Sequence, residues 1–441
     1  MRAFEGKRVT VMGLGRFGGG LGVARWLHAQ GANVLVTDTA PADTLAEQVG
    51  KLPEGVRTRL GGHAEVDFTD ADLVVASPAV AHPWKNRFLT AAIDAGVAIS
   101  TEIGLVIDRM PDRTRVVGIT GTAGKSTTSA MTARALEAAG VTVHLGGNIG
   151  GSLLEADIGP GDFVVLELSS FMLHWLGQRG WSPGTAVLTN LSPNHLDWHE
   201  SFEHYEQSKR HIAEHQRPGD LLVCDRWPEL ATPTRIEPID VEHRLALPGR
   251  HNRVDAAMAL AAASATLERH SIDHDRDRLA RAIAAFPGLP HRLQHVAEHA
   301  GLTFYNDSKC TTPQAVSLAV DALADRTPPE RIRLIAGGAD KGVDLAAIAE
   351  LARTLGHVHT IGATGPRIVE MAHALGGRAT HHGTLEAAFA AAVDDRVDAA
   401  DGAVLLSPGC ASWDQFTNYE ARGALFVDLV HRWIAGHARG V

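Results

Sequence analysis

The sequence predicts an α/β protein of three consecutive domains, each organised around a parallel sheet. Three observations lead there. At 441 residues the chain is too long for one ordinary hydrophobic core, since a domain takes roughly 100 to 200 residues. Short apolar, often β-branched runs alternate with alanine-rich helical stretches along most of the length, the habit of parallel-sheet proteins. Two glycine-rich turns, one in the first block and one opening the second, each follow such a run and lead into a helix.

The first block begins with the strand segment RVTVMG at 8–13, enters a helix within RFGGGLGVARWLHAQG, and adds NVLVTD at 33–38 and ADLVVASPAV at 71–80. It fades at IDRMPDRTR, where Pro111 and flanking charges set a boundary, giving a first domain of 1–110. The second block, 111–290, carries VVGIT, FVVLELSS and AVLTNLSPNH, then two helical stretches, GRHNRVDAAMALAAASATLERH and LARAIAAF. The turn-rich PGLPHR at 287–292 closes it. The third, 291–441, has four strand candidates, LTFYND, RIRLIAGG, HVHTIG and AVLLSPG.

Composition excludes several classes of partner. Hydrophobic residues make up 45% and charged residues 21%, so neither disorder nor a fibrous repeat is indicated. A formal charge of −10 argues against nucleic acid and against an anionic membrane, which demand clustered Lys and Arg. Any anionic ligand must be held by local donors. Cys224, Cys310 and Cys410 are far apart and form no C-x-x-C pair, which excludes a disulfide framework and a cysteine zinc site and fits a reducing cytoplasm. The N-terminal stretch lacks the apolar run of a signal peptide, and no apolar run approaches the roughly 20 residues that span a bilayer. A soluble cytoplasmic protein is expected.

GLGRFG at 13–18 fits G-x-G-x-x-G, with Asp38 at the end of the next strand. By pattern this is a dinucleotide fingerprint. Physically it reports a tight turn whose amides can receive the pyrophosphate of any nucleotide. A glycine-tolerant turn with no ligand explains it as well as NAD does. GITGTAGKSTT at 118–128 says more. It nearly matches G-x-x-x-x-G-K-[ST], but Ile119 stands where that pattern wants glycine. Gly118, Gly121 and Gly124 still let the backbone curl around phosphate oxygens, Lys125 supplies a point charge, and Ser126 or Thr127 can hold Mg²⁺.

GTAGKSTT, GGNIG, LELSSF, LTNLSPNHLDWH, SKRHI, GRHN, FPGLPHR, NDSKCTTPQA, AGGADKG and LLSPGCASWDQFTNYEARG follow one another in an order that resembles the Mur ligase family across essentially the whole chain. That family's loop reads GT-x-GK-[ST], so the spacing at 121–126 is normal for an ATP-dependent amide ligase. The resemblance implies a Rossmann-like N-terminal domain for the UDP-substrate, a central phosphate-loop ATPase-like domain, and a Rossmann-like C-terminal domain for glutamate. It implies that ATP phosphorylates the carboxylate of UDP-N-acetylmuramoyl-L-alanine (UDP-MurNAc-L-Ala), that the amine of D-glutamate attacks the acyl phosphate, and that the enzyme is a cytoplasmic monomer of peptidoglycan precursor synthesis. A related ligase adding L-glutamate or another amino acid is the alternative.

The resemblance also assigns residues. ATP falls to Gly121, Thr122, Gly124, Lys125, Ser126 and Thr127, with Asn252 near adenine, Arg292 at the γ-phosphate and Asp307 as an ATP-site acid. Two Mg²⁺ ions fall to Ser126, Glu167, His195 and a carbamylated Lys209. Lys125, Glu167, His195, Lys209 and Arg292 form the catalytic set. A bare ammonium at 209 would repel two divalent ions, whereas a carbamate binds them. The UDP end falls to Leu14, Gly15, Arg16, Asp38, Ser77 and Pro78, and the substrate peptide to Asn148 and Ser169. Lys309, Thr311, Lys341 and Ser412 grip the carboxylates of glutamate, beside Tyr419 where phenylalanine is common. His199 forms an i, i+4 pair with His195, but with no third ligand signature zinc is not expected there. Ala123 and Met172 depart from the family's usual Asn and Gln, which touches substrate specificity. A folate ligase would lack the first block, an NAD oxidoreductase would use only the first loop, and an inactive scaffold would not keep Lys125, Glu167, His195 and Lys209 together.

Overall fold

The computed structural model describes residues 3–15, 19–224, 234–394 and 402–437. Three sheets follow one another along the chain. The first has strands β1 (Arg8–Met12), β2 (Asn33–Asp38), β3 (Arg57–Leu60), β4 (Leu73–Ala76) and β5 (Ala98–Ser100), in the order β3-β2-β1-β4-β5. The second has β6 (Val116–Thr120), β7 (Val143–Gly147), β8 (Phe163–Glu167), β9 (Thr185–Leu188), β10 (Leu221–Cys224) and β11 (Thr234–Ile236), in the order β11-β10-β9-β6-β8-β7. Both are parallel throughout.

The third sheet contains β12 (Gln294–His299), β13 (Leu302–Asn306), β14 (Ile332–Gly337), β15 (His357–Ile361), β16 (Ala379–Gly383) and β17 (Gly402–Leu406), ordered β12-β13-β17-β14-β15-β16. Only β12 runs antiparallel to its neighbour. The central strands VVGIT, FVVLE and GAVLL are buried at every position, as expected of strands covered on both faces. Each fully buried Val or Leu side chain contributes about 1.5 to 3 kcal/mol.

Contacts group the chain into two compact units, Met1–Asp240 with Val254–Ile283, and Val241–Arg253 with Ala284–Val441. The first unit holds the first two sheets. They share one apolar cluster that runs from Val9, Val34 and Leu27 through Leu105 and Val106 to Leu154, Leu173 and Leu166. Polar ties reinforce it, with the Arg109 guanidinium donating to the Leu153 and Leu154 carbonyls and Arg179 paired with Asp108 at 2.5 Å. Among the described residues no helix is long and apolar enough to cross a membrane.

In parallel α/β sheets, ligands gather at the carboxyl ends of the strands, where the strand order reverses. In the first sheet this point lies between β1 and β4, and in the second it lies around β6. The loops there are GLGRFG and GTAGKSTT, so topology and motif agree on position.

Candidate active site

The phosphate loop leaves β6 at Thr120 and enters the helix Lys125–Ala138 through Gly124, whose φ of 80° is left-handed. A Cβ there would come within 2.3 Å of an Asp255 carboxylate oxygen. Glycine at 124 is therefore required by both conformation and space. Lys125 Nζ donates to the Gly121 and Thr122 carbonyls, both at 3.0 Å, so its charge already lies over the loop. Asn190 brackets the same loop, accepting from the Ala123 amide at 2.9 Å and donating to the Ala123 carbonyl at 3.0 Å. Thr122 Oγ1 meets the Tyr205 hydroxyl at 2.9 Å. Ser126 and Thr127 are half-buried in the first helical turn.

Glu167 ends β8, in register with Ile119 of β6, which places it beside the loop. It is 1% exposed. Its Oε1 accepts from Asn148 Nδ2 at 2.7 Å, while Oε2 is buried without a hydrogen-bond partner. An anionic oxygen removed from water costs several kcal/mol unless a cation or donor meets it. The oxygen donors of Glu167 and the loop hydroxyls beside a phosphate loop therefore fit a Mg²⁺ ion. Lys209 projects from the helix Phe202–Glu214 and is also 1% exposed. Its Nζ donates to the Gly121 carbonyl at 2.8 Å and to Thr120 Oγ1 at 3.2 Å. Burial, helped by the Lys125 charge and opposed by Glu167, pushes the Lys209 ammonium down to about 7. His195 sits at a left-handed φ of 52°, with its ring 5.0 Å from that of Phe171. Burial lowers its pKa, against the attraction of Asp197. Ser169 Oγ accepts from the Met172 amide at 3.2 Å as the cap of the helix Ser170–Gln178.

Asp255 was not singled out by sequence reasoning, because its pattern is only that of an alanine-rich helix. It is 5% exposed, and burial raises its carboxyl to about 7. The folded protein then holds a proton that the unfolded chain releases near pH 4. The associated stability is present below about pH 4 and is lost as pH rises through 7. Asp255→Asn removes this dependence. With the carboxyl raised from 3.8 to about 7, at about 1.4 kcal/mol per unit, the variant should be more stable than the native chain at pH 8 by on the order of 4 kcal/mol, and equal to it near pH 4. Urea unfolding at both pH values checks this.

In the first sheet, Leu14, Gly15, Asp38 and Ser77 line one cavity of about 570 Å³, together with His63 and Phe88. Pro78 lies in the adjoining turn, and Arg16 falls outside the described residues. Leu14 buries its side chain, so only its backbone can meet a ligand. The Leu14 and Gly15 amides, which in the sequence reading could receive a pyrophosphate, donate instead to Asp38 Oδ2 at 2.9 and 3.1 Å.

In the second unit, Asp307, Lys309, Lys341 and Ser412 all lie just beyond the carboxyl ends of β13, β14 and β17. Asp307 accepts from the Leu293 amide at 3.0 Å and from Ser407 Oγ at 2.8 Å, and burial raises its carboxyl to about 6. Lys309 Nζ lies 5.2 Å from the Tyr419 ring centroid, and Lys341 Nζ 4.3 Å from that of Trp413. Arg292 is exposed and Thr311 half-buried. Ser412 is buried, and Asn252 turns its amide onto the Pro248 carbonyl at 2.6 Å.

Sequence reasoning missed Arg422, which holds these loops together. Its fully buried guanidinium donates to Ser308 Oγ at 3.0 Å, to the Ser308 carbonyl at 2.8 Å, and to the Cys410 and Ala411 carbonyls at 3.1 and 3.3 Å. Arg422→Ala leaves the Ser308 and Cys410 carbonyls buried without this donor, while the Ala411 carbonyl keeps the Ala339 amide. A loss of about 2 to 3 kcal/mol is expected, read as a lower urea midpoint.

Fold and site together define a three-domain α/β protein with a phosphate loop and a buried carboxylate beside it. Comparison with known proteins narrows this. Family models described as Mur ligase MurD-like N-terminal domain, Mur ligase middle domain, and Mur ligase glutamate ligase domain match residues 7–101, 119–232 and 291–410. The chain belongs to the Mur ligase family. It is similar to the UDP-N-acetylmuramoylalanine--D-glutamate ligase of Roseiflexus sp. (strain RS-1), at 36% identity over 96% of this chain and 98% of the relative. The same-named ligase of Trichlorobacter lovleyi is 34% identical over 97% and 99%. Two solved structures share the fold. They are the UDP-N-acetylmuramate-alanine ligase MurC of Thermotoga maritima, with a TM-score of 0.55 at 20% identity over 98% and 100% of the two chains, and MurF of Acinetobacter baumannii, with 0.56 at 15% over 97% and 92%.

Proposed function

We propose that the chain is an ATP-dependent ligase that joins D-glutamate to UDP-MurNAc-L-Ala through an acyl phosphate. The observation that carries this reading is the pairing of an intact phosphate loop with the partnerless, buried Glu167 Oε2 beside it. A loop alone binds nucleotide, whereas a loop with a cation-seeking carboxylate is equipped to transfer phosphate. The full-length relatives, named for this activity, support the choice of substrates.

In this reading the loop amides and Lys125 cradle the ATP phosphates, and Arg292 supplies a further cation at the γ-phosphate. Ser126, Glu167, His195 and carbamylated Lys209 would hold two Mg²⁺ ions, which when bound neutralise phosphate charge and polarise the transferring group. The carbamate forms by attack of the neutral amine on carbon dioxide, a new N–C bond being made as one proton leaves. An amine buried to a pKa of about 7 has a substantial neutral fraction near pH 7, which is what that attack requires. The alanyl carboxylate oxygen of UDP-MurNAc-L-Ala takes the γ-phosphoryl group, and ADP departs. The amine of glutamate then attacks the acyl carbon, the C–O bond to phosphate breaks, and the amine gives up a proton.

We assign UDP binding to 1–110, ATP to 111–290 and glutamate to 291–441. Lys309, Lys341, Thr311 and Ser412 would hold the glutamate carboxylates, and Asn148 and Ser169 the substrate peptide. The reading includes a cytoplasmic, monomeric enzyme. Phosphate release measured with UDP-MurNAc-L-Ala and a panel of amino acids, each enantiomer tested separately, checks it. Turnover with D-glutamate alone is expected. Release that ignores the amino acid, or that prefers L-glutamate, would overturn the assignment.

A further inference from the structure

The helix that carries Lys209 ends in the sequence HIAEH, and this ending is not used by the reaction above. His211, Glu214 and the cap residue His215 are spaced i, i+3, i+4, which brings them to one face of the last turn. One ring nitrogen from each histidine and one Glu214 oxygen lie within 4.8 Å of one another. His211 Nδ1 and Glu214 Oε2 are 2.7 Å apart, and the two imidazole rings stack at 5.8 Å with an interplanar angle of 13°.

Two further features show that the arrangement is built. His215 Nε2 is buried and has no hydrogen-bond partner, a cost that a cation on that nitrogen would remove. The backbone of the turn is also pinned, since Ser182 Oγ donates to the His211 carbonyl at 2.7 Å and accepts from the His215 amide at 3.0 Å. The His211 ring packs where a side chain at Gly177 would be, because a Cβ there would lie 2.2 Å from the ring. A helix C-terminus carries partial negative charge, which favours a cation at this end.

We propose that His211, Glu214 and His215 form a transition-metal site of the zinc class, separate from the phosphate-loop centre. Two imidazoles and one carboxylate suit a borderline ion such as Zn²⁺ and suit Mg²⁺ poorly, since Mg²⁺ prefers oxygen ligands and octahedral geometry. Three protein ligands leave a fourth tetrahedral position for water. The two imidazoles bind through ring-nitrogen lone pairs, and each ring keeps its one proton on the nitrogen turned away from the metal. Positions 209 and 211 are about 200° apart around the helix axis. The metal therefore sits on the face away from the phosphate loop and acts by fixing the last turn of the helix that positions Lys209.

The test is calorimetric titration of the full-length, chelator-treated protein with Zn²⁺ in excess Mg²⁺, which needs no substrate and is independent of the ligase reading. One site in the micromolar range or tighter is expected, with a rise in melting temperature. His215→Ala and Glu214→Gln should each weaken it by about tenfold or more. Glu214 is exposed and His215 half-buried at the end of the helix, and metal-free melting temperatures close to native verify that the fold persists. His357→Ala, in a separate histidine cluster on β15, should leave the site unchanged. Absence of a micromolar site in the native protein, or an unchanged site in His215→Ala, would overturn the proposal.

Discussion

Lys125→Ala is expected to lower kcat for phosphate release by several hundredfold while the protein stays folded. A preorganised charge on a transferring phosphoryl group is worth roughly 3 to 4 kcal/mol in a water-poor site. The structural cost is small by comparison. Lys125 Nζ makes two hydrogen bonds to carbonyls of its own loop, each worth about 1 kcal/mol, and it contributes nothing to the apolar core. Steady-state assay together with thermal melting separates the two effects. Near-native kcat in a folded variant would remove the loop from the reaction.

The second large effect is at Lys209. Lys209→Ala should abolish ligation, and the direction of chemical rescue shows what the side chain does. If the working group is a carbamate, it is an anion. Acetate at high concentration should then enter the vacated space and partly restore turnover, while methylammonium should not. If the amine itself works as a phosphate-binding cation, the pattern reverses. The structure bears on both. The ammonium donates to the Gly121 carbonyl and Thr120 Oγ1, and its removal costs the Gly121 carbonyl one bond, worth about 1 kcal/mol, while Lys125 Nζ still donates to it. Thr120 keeps its own bond to the Leu168 carbonyl at 2.7 Å. Rescue by methylammonium alone would refute the carbamate.

The sequence foretold the inner strands well and the outer ones poorly. VVGIT, FVVLE and GAVLL are near-continuous apolar runs because both their faces are covered, and RVTVM is buried at every position after Arg8. β3 reads RTRL and is largely exposed, and β5, β7, β11, β12 and β16 are likewise sheet edges whose pattern is too polar or too short to stand out. β10, LLVC, is the exception, since it is fully buried but only four residues long. Three domains were expected from three glycine- and proline-bounded blocks. Three sheets exist, yet the first two form one compact unit, because helix faces carrying Leu105, Val106 and Leu173 close a common core. No local pattern announces that kind of sharing.

The candidate site divides in the same way. GTAGKSTT is legible because backbone cradling of phosphate demands glycines and a lysine at fixed spacing. Asn190, Tyr205, Asp255 and Arg422 support the loops from far along the chain, and each looks ordinary in its own segment. Trp413, packed against Lys341, carries no spacing pattern of its own that marks it.

The central claim is that a carboxylate is activated as an acyl phosphate, and one isotope measurement tests it most directly. UDP-MurNAc-L-Ala labelled with ¹⁸O in its alanyl carboxylate is turned over with ATP and D-glutamate, and the released phosphate is analysed by mass. In an acyl phosphate the bridging oxygen comes from the carboxylate and leaves with phosphorus, so each phosphate should carry one ¹⁸O atom. Unlabelled phosphate accompanying labelled amide product would mean that the carboxylate was never phosphorylated, and would contradict the account.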